Sequence, residues 1–166
     1  MPKVSINAIT PKNLTSSKEY AKVIKQAAMK TAKLVGRDYE STTRTWSSKN
    51  KPTFDVIVAE SDGDYLITAG TDSLLYKWTD EGTKPHIIRP RRSRFLRFRV
   101  GGRAKTTPNV IGSQAGSRGD SWRTADFVLH PGTRARNFTK RIQERRQKTA
   151  EQEISQAIAK VARKQA

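Results

Sequence analysis

Cysteine is missing from this sequence altogether. That excludes disulfides, thiol chemistry and any zinc-finger framework. Histidine is nearly as scarce: His86 and His130 are the only two, each beside a proline. Without cysteine partners or HxxxH spacing they do not make a metal site. No GxSxG, GxxxxGK[ST] or HExxH pattern occurs. Glu60, Asp62 and Asp64 flank a turn signal but lack the remaining spacing of a calcium loop. Apolar residues make up 34% of the chain, so the core is thin and neighbouring subunits are expected to add to stability. No run approaches the roughly 18 apolar residues of a membrane span. The opening MPKVSINAIT lacks the apolar stretch of a signal peptide. These absences lead to the expectation of a soluble protein made in a cytoplasm, with no catalytic residues, no cofactor, no metal and no membrane partner.

What is abundant is positive charge. The net charge is +18, and it is unevenly spread. Residues 1–80 hold 12 Lys/Arg against 9 Asp/Glu, whereas residues 81–166 hold 21 against 6. Such asymmetry points to a polyanion or an acidic protein surface as partner.

The 166 residues read as a single domain. KVSINAI alternates Val4, Ile6 and Ala8, as a short first strand does. Pro11 and Asn13 break that pattern, and Ser16 with Glu19 forms a capping box. Tyr20, Val23, Ile24, Ala27, Ala28, Leu34 and Val35 then follow at helical spacing, with Gly36 as the expected stop. Ser41 to Lys51 is polar apart from Trp46 and reads as a loop. TFDVIVAE and DYLITAG flank Ser61-Asp62-Gly63, a hairpin signal. LLYKW reads as a strand or a short helix, and Pro85 and Pro90 confine any strand between them to an edge. In SRFLRFRV, Leu96, Phe98 and Val100 face one way and Arg97 and Arg99 the other. The segment at about 101–121 is rich in Gly and Ser and is expected to be flexible until a partner orders it. WRTADFVLH reads as one last strand into a Pro-Gly turn. Asn137 reads as the N-cap of a C-terminal helix from about 138, whose incomplete apolar face suits projection or contact with another chain. The class is therefore α+β: an N-terminal amphipathic helix, an antiparallel β-sheet and a long C-terminal helix.

Two stretches carry a resemblance. GTKPHIIRP supplies Gly82, Thr83, Lys84, Pro85, His86 and Pro90. HPGTRARNF supplies His130, Pro131, Gly132, Thr133, Ala135 and Phe138. Their order, between an N-terminal helix and a terminal helix, resembles the tailed-bacteriophage neck and tail-completion family, the minor tail proteins related to lambda's protein Z. The departure is Asn137, where that family usually has proline; both residues favour a helix start.

The resemblance implies a non-enzymatic virion protein at the head–tail neck, made in the bacterial host cytoplasm. It implies a ring of this chain, six-fold by expectation, joining connector and tail around the DNA channel. Other connector, neck and tail-terminator proteins would be its partners. Arg91, Arg92, Arg94, Arg97, Arg99, Arg134, Arg136, Arg141, Arg145 and Arg146 would then line subunit contacts or meet genomic DNA without reading its sequence. The alternative is a free-standing basic nucleic-acid-binding protein of the ribosomal or nucleoid kind, since RPRRSRFLRFR interleaves arginine with Phe95 and Phe98. A slow enzyme is a distant third.

Overall fold

A computed structural model describes residues 2–8, 18–61 and 63–165. Pro11, Asn13, the cap residue Ser16 and the turn residue Asp62 lie outside the described residues. Strands β1 (Lys3–Ala8), β2 (Asp55–Ser61) and β3 (Asp64–Gly70) form one antiparallel sheet in the order β1-β3-β2. The expected hairpin is there: Ser61 pairs with Asp64, and Gly63 takes φ of 83° at the turn. Alternation sorts the sheet into two faces. Val4 and Ile6 of β1 and Tyr65, Ile67 and Ala69 of β3 are buried, while Ile57 and Leu66 point outward.

Two long helices cover the inner face. Helix α1 (Lys18–Thr43) buries Tyr20, Ile24, Ala27, Ala28, Ala32, Val35 and Tyr39. It runs through Gly36, which was expected to end it. A mid-helix glycine costs about 1 kcal/mol, but the next turn buries Asp38, Tyr39, Thr42 and Thr43, and that packing carries the helix onward. Gly36 lies against the sheet, where an added Cβ would touch Val56 at 3.6 Å. Ser41–Thr43 are therefore helical, and only the residues after them form the expected loop, with a short 3-10 turn at Ser48–Asn50. Trp46 folds back onto the core.

LLYKW resolves as helix. After β3, α2 (Leu74–Glu81) starts at Ser73, whose hydroxyl accepts from the Tyr76 amide at 3.3 Å. Tyr76 sits at the centre of an aromatic cluster, 5.8 Å from Tyr39, 5.1 Å from Phe54 and 6.1 Å from Phe138 between ring centres. Burial pushes the phenol pKa of both Tyr39 and Tyr76 well above the ordinary range.

Helix α3 (Phe138–Gln165) does not project. Phe138, Ile142, Arg146, Ala150, Ile154 and Val161 are all buried, the first five spaced four apart. This seam lies along α1. It looked incomplete in sequence because one of its members is an arginine. Arg146 makes a two-pronged contact with Asp38 of α1, Nε to Oδ2 at 2.7 Å and Nη2 to Oδ1 at 2.8 Å.

The start of α3 also departs from expectation. The Asn137 carbonyl accepts from the Arg141 amide at 3.0 Å, so Asn137 does hold the N-cap position. Its side chain does not cap; it donates to the Asn109 side chain at 2.8 Å. Asp80 of α2 caps instead, accepting from the Thr139 amide through Oδ1 at 3.2 Å and from the Asn137 amide through its carbonyl at 3.0 Å. A buried carboxylate there also complements the helix dipole. Asn137 takes φ of 56°, out of reach of a proline ring, so asparagine and proline are not equivalent here. Asn137→Pro is therefore expected to cost about 3 kcal/mol or more. Asn137→Gly, which tolerates positive φ, should stay within about 1 kcal/mol of the parent. Thermal melts of the two variants check this.

The remaining strands leave the sheet. β4 (His86–Ile88) pairs with β7 (Val128–His130), and β5 (Leu96–Val100) pairs with β6 (Ser121–Ala125), as separate two-stranded ribbons. WRTADFVLH is thus not one strand. It bends at Asp126 and Phe127, and its two halves serve different ribbons. Every strand in these ribbons is an edge, which is where Pro85 and Pro90 are tolerated.

Candidate functional site

The two stretches that stood out in sequence meet in space. Thr83 and Thr133 exchange backbone bonds, N to O at 3.0 and 3.1 Å, and His86 lies opposite His130. The register is continuous, so Pro85 falls opposite Pro131. Alternation along an antiparallel pair would make that the next mutually bonded position after Thr83 and Thr133. Neither proline has an N–H to give. The ladder skips there and resumes beyond it, with the two imidazoles side by side at 5.0 Å between centres and tilted by 31°. The His86 ring contacts the Lys84 carbonyl at 2.9 Å through Nδ1, and His130 Nδ1 accepts from the Gly132 amide at 3.0 Å. Both histidines thus hold their own loops in shape.

Two glycines let the strands close. Gly82 and Gly132 take φ of 77° and 87°. A Cβ on Gly82 would lie 2.4 Å from the Thr133 carbonyl oxygen, and one on Gly132 would lie 2.2 Å from that of Thr83. HPGT is therefore not the tight turn expected from Pro-Gly. It is extended backbone strapped to GTKPH, and the strap joins the end of α2 to the start of α3.

Beyond the strap lies the most basic part of the molecule. Residues 82–137 hold 13 Lys/Arg against 2 Asp/Glu. The expected faces of β5 hold: Arg97 and Arg99 are exposed, and Leu96, Phe98 and Val100 are half-buried. Across the ribbon Arg99 pairs with Trp122, and both guanidinium groups stack on its indole, Arg97 at 4.5 Å and Arg99 at 4.7 Å from the ring centre. Stacking fixes the arginines while leaving their N–H edges for an acceptor. Trp122 was not singled out in sequence; its place opposite Arg99 depends on how far the intervening segment carries the chain before it returns. Apolar side chains are exposed on the same ribbons, including Ile87, Leu129, Phe127 and Phe95.

The other arginines divide. Arg91, Arg92, Arg94 and Arg134 are exposed. Arg141 is exposed beside Glu144 at 3.1 Å, and Arg145 is exposed 3.9 Å from Asp38. Arg136 is half-buried, its amide bonded to the Asp80 carbonyl at 2.9 Å. Arg146 is excluded as a contact residue because it is buried against Asp38.

The Gly/Ser-rich segment has anchors that composition did not reveal. Arg103 and Ser117 pair as an isolated bridge, and the Gln114 amide donates to the Lys105 carbonyl at 2.7 Å. Ser113 donates to the Ser41 carbonyl at 3.0 Å and accepts from the Thr45 amide at 3.2 Å, tying the segment to the end of α1. The Asn109 amide reaches the Arg136 carbonyl at 2.8 Å. Hydrogen exchange on the isolated chain is therefore expected to show slowed amides at Arg103, Asn109, Gln114 and Ser117. Rates matching an unstructured chain at all four would restore the expectation of a segment ordered only by a partner.

The same geometry sets an expectation for the β5–β6 ribbon. Replacing Arg97 and Arg99 together by Gln should leave the fold intact and lessen the salt dependence of duplex binding. Phe98→Ala should cost roughly 1–2 kcal/mol, because the ring is only half-buried and the 3–5 kcal/mol of a core phenylalanine does not apply. Melts and titrations at several salt concentrations test both.

Among the described residues no group of three or more His, Cys, Asp or Glu is placed to hold a metal ion. Nor is any described helix long and apolar enough to cross a membrane. Comparison of the chain with protein-family models, curated proteins and solved structures finds no match.

Proposed function

We propose that this chain is a non-enzymatic structural subunit of a tailed-bacteriophage virion, a neck or tail-completion protein. In this reading it forms a ring, six-fold by expectation, that joins connector and tail around the DNA channel. It is made in the host cytoplasm and meets connector, neck and tail-terminator proteins. The observation that carries the reading is the pair of two-stranded ribbons separate from the main sheet, an apolar one (β4–β7) that continues the Thr83–Thr133 strap and a basic one (β5–β6) that carries Arg97, Arg99 and Arg123. They expose Ile87, Phe127 and Leu129 at 53%, 53% and 67%, which suits a surface that neighbours cover. The strap also gives one structural reason for the two motifs that carry the resemblance: each supplies half of it. Electron microscopy of the purified protein, alone and with head or tail particles, tests the proposal. Rings at the neck are the expected outcome. A strict monomer absent from virions would sink it.

The Arg97–Trp122–Arg99 stack favours a second reading, a free-standing nucleic-acid-binding protein without sequence preference. It predicts tight binding by the monomer, with a steep salt slope and no ring. The channel reading predicts weak binding by the free subunit, also blind to sequence.

A further inference from the structure

The three-stranded sheet has two edges, and the chain treats them differently. Ser61 and Asp64 close a two-residue connection and so form a mutually bonded pair. Alternation then bonds Ala59 to Leu66, Ile57 to Thr68 and Asp55 to Gly70. The intervening residues of β2, Val56, Val58 and Glu60, must turn their N–H and C=O groups away from β3. Carried across β3, the same phase turns Ser5 and Asn7 of β1 outward. Helix α3 meets them there: Gln143 donates to the Ser5 carbonyl at 3.0 Å and Gln147 to the Asn7 carbonyl at 3.2 Å. The β1 edge is covered by these amides. The β2 edge, seven residues long, has no such cover among the described residues, and Ile57 beside it is 61% exposed. An open edge of this length is a template for another strand.

Charge selects the strand. The outer face of the β2–β3 hairpin carries Asp55 and Asp64, while Glu60 on the inner face pairs with Lys25 of α1 at 3.6 Å. Residues 89–99, which end in β5, carry six arginines and no acid. β6, by contrast, is bracketed by Asp120 and Asp126, while β4 and β7 are three residues each with prolines close by. We propose that the open edge of β2 receives β5 of a second copy, joining the acidic hairpin of one subunit to the basic ribbon of the next. This contact is head-to-tail, so each subunit uses both halves once and the chain of contacts closes into a ring when the rotation allows. The proposal rests on the ring reading and supplies its interface.

Nuclease-treated full-length protein is the material for the test. Asp55→Arg with Ala59→Arg on the outer face in one variant, and Arg97→Glu with Arg99→Glu in another, are each expected to weaken self-association at least about a hundredfold in sedimentation. Mixing the two variants should restore assembly, because each reversed edge then meets a reversed partner; such alternation closes only rings of even number. Native circular dichroism of each variant and recovery on mixing separate a lost interface from a lost fold. The chain has no cysteine, so engineered pairs report only contacts between copies. Cysteines scanned over Asp55, Ile57 and Ala59 should cross-link to cysteines at Arg97 or Arg99 of another copy. Cross-links from β2 to β2, or assembly untouched in both variants, would overturn the proposal and leave the ring reading standing. Assembly of the parent that vanishes with nuclease overturns it in favour of a nucleic-acid bridge. A parent that stays monomeric, and is absent from particles, removes both.

Discussion

Asp38→Ala is expected to destabilise the protein by about 3–5 kcal/mol, because it leaves the Arg146 guanidinium buried without its counter-charge. For a chain of this size that lowers the melting temperature by roughly 10 °C. The guanidinium is held in place by Asp38. Its planar fork meets both carboxylate oxygens, and each side chain is only 10% exposed. The reverse change, Arg146→Met, should cost less. Asp38 then keeps Arg145, 3.9 Å away and largely in solvent, and methionine fills much of the vacated seam. Replacing both, with Asp38→Leu and Arg146→Met, should come back close to the parent, since a packed apolar pair of similar volume often matches a buried ion pair. Thermal melts of the three variants read the pattern directly. A double variant as unstable as Asp38→Ala would mean that the pair is needed to align α1 with α3 and not merely tolerated between them.

That pair also marks where the sequence stops being legible. The apolar spacing of Tyr20 to Val35 announced α1, and the β2–β3 hairpin was written in its turn residues. What stayed hidden were features that depend on two distant segments at once. Arg146 reads as one more solvated arginine until Asp38, 108 positions away, is seen beside it. Asn137 reads as a cap, yet Asp80 performs the capping because α2 delivers a carboxylate to the end of α3. Gly36 reads as a stop because helix propensity is local and the packing of Tyr39 is not. At the candidate site the arginine face of β5 followed from alternation alone. Trp122 did not, since strand register across a 20-residue connection has no signature in either strand.

The strap is the other such feature, and Gly132→Ala is expected to be among the most damaging single substitutions in the chain. Two costs combine. An alanine at φ of 87° is strained by about 1–2 kcal/mol. Its Cβ would also lie 2.2 Å from the Thr83 carbonyl oxygen, with backbone at Lys84 and Pro85 behind it, so nothing flexible can yield. The loss should reach about 3 kcal/mol or more, with faster hydrogen exchange at Thr83 and Thr133. Gly101→Ala provides the control, because φ there is 83° and an added Cβ meets nothing within 4 Å. It should show the conformational strain alone. Gly82→Ala, whose Cβ would lie 2.4 Å from the Thr133 carbonyl oxygen, should resemble Gly132→Ala. The two together should cost clearly less than their sum, since either one already parts the same pair of strands. Full additivity would mean that the strap is two independent turns that happen to touch, and that the pairing of the two motifs does not explain why each carries its glycine.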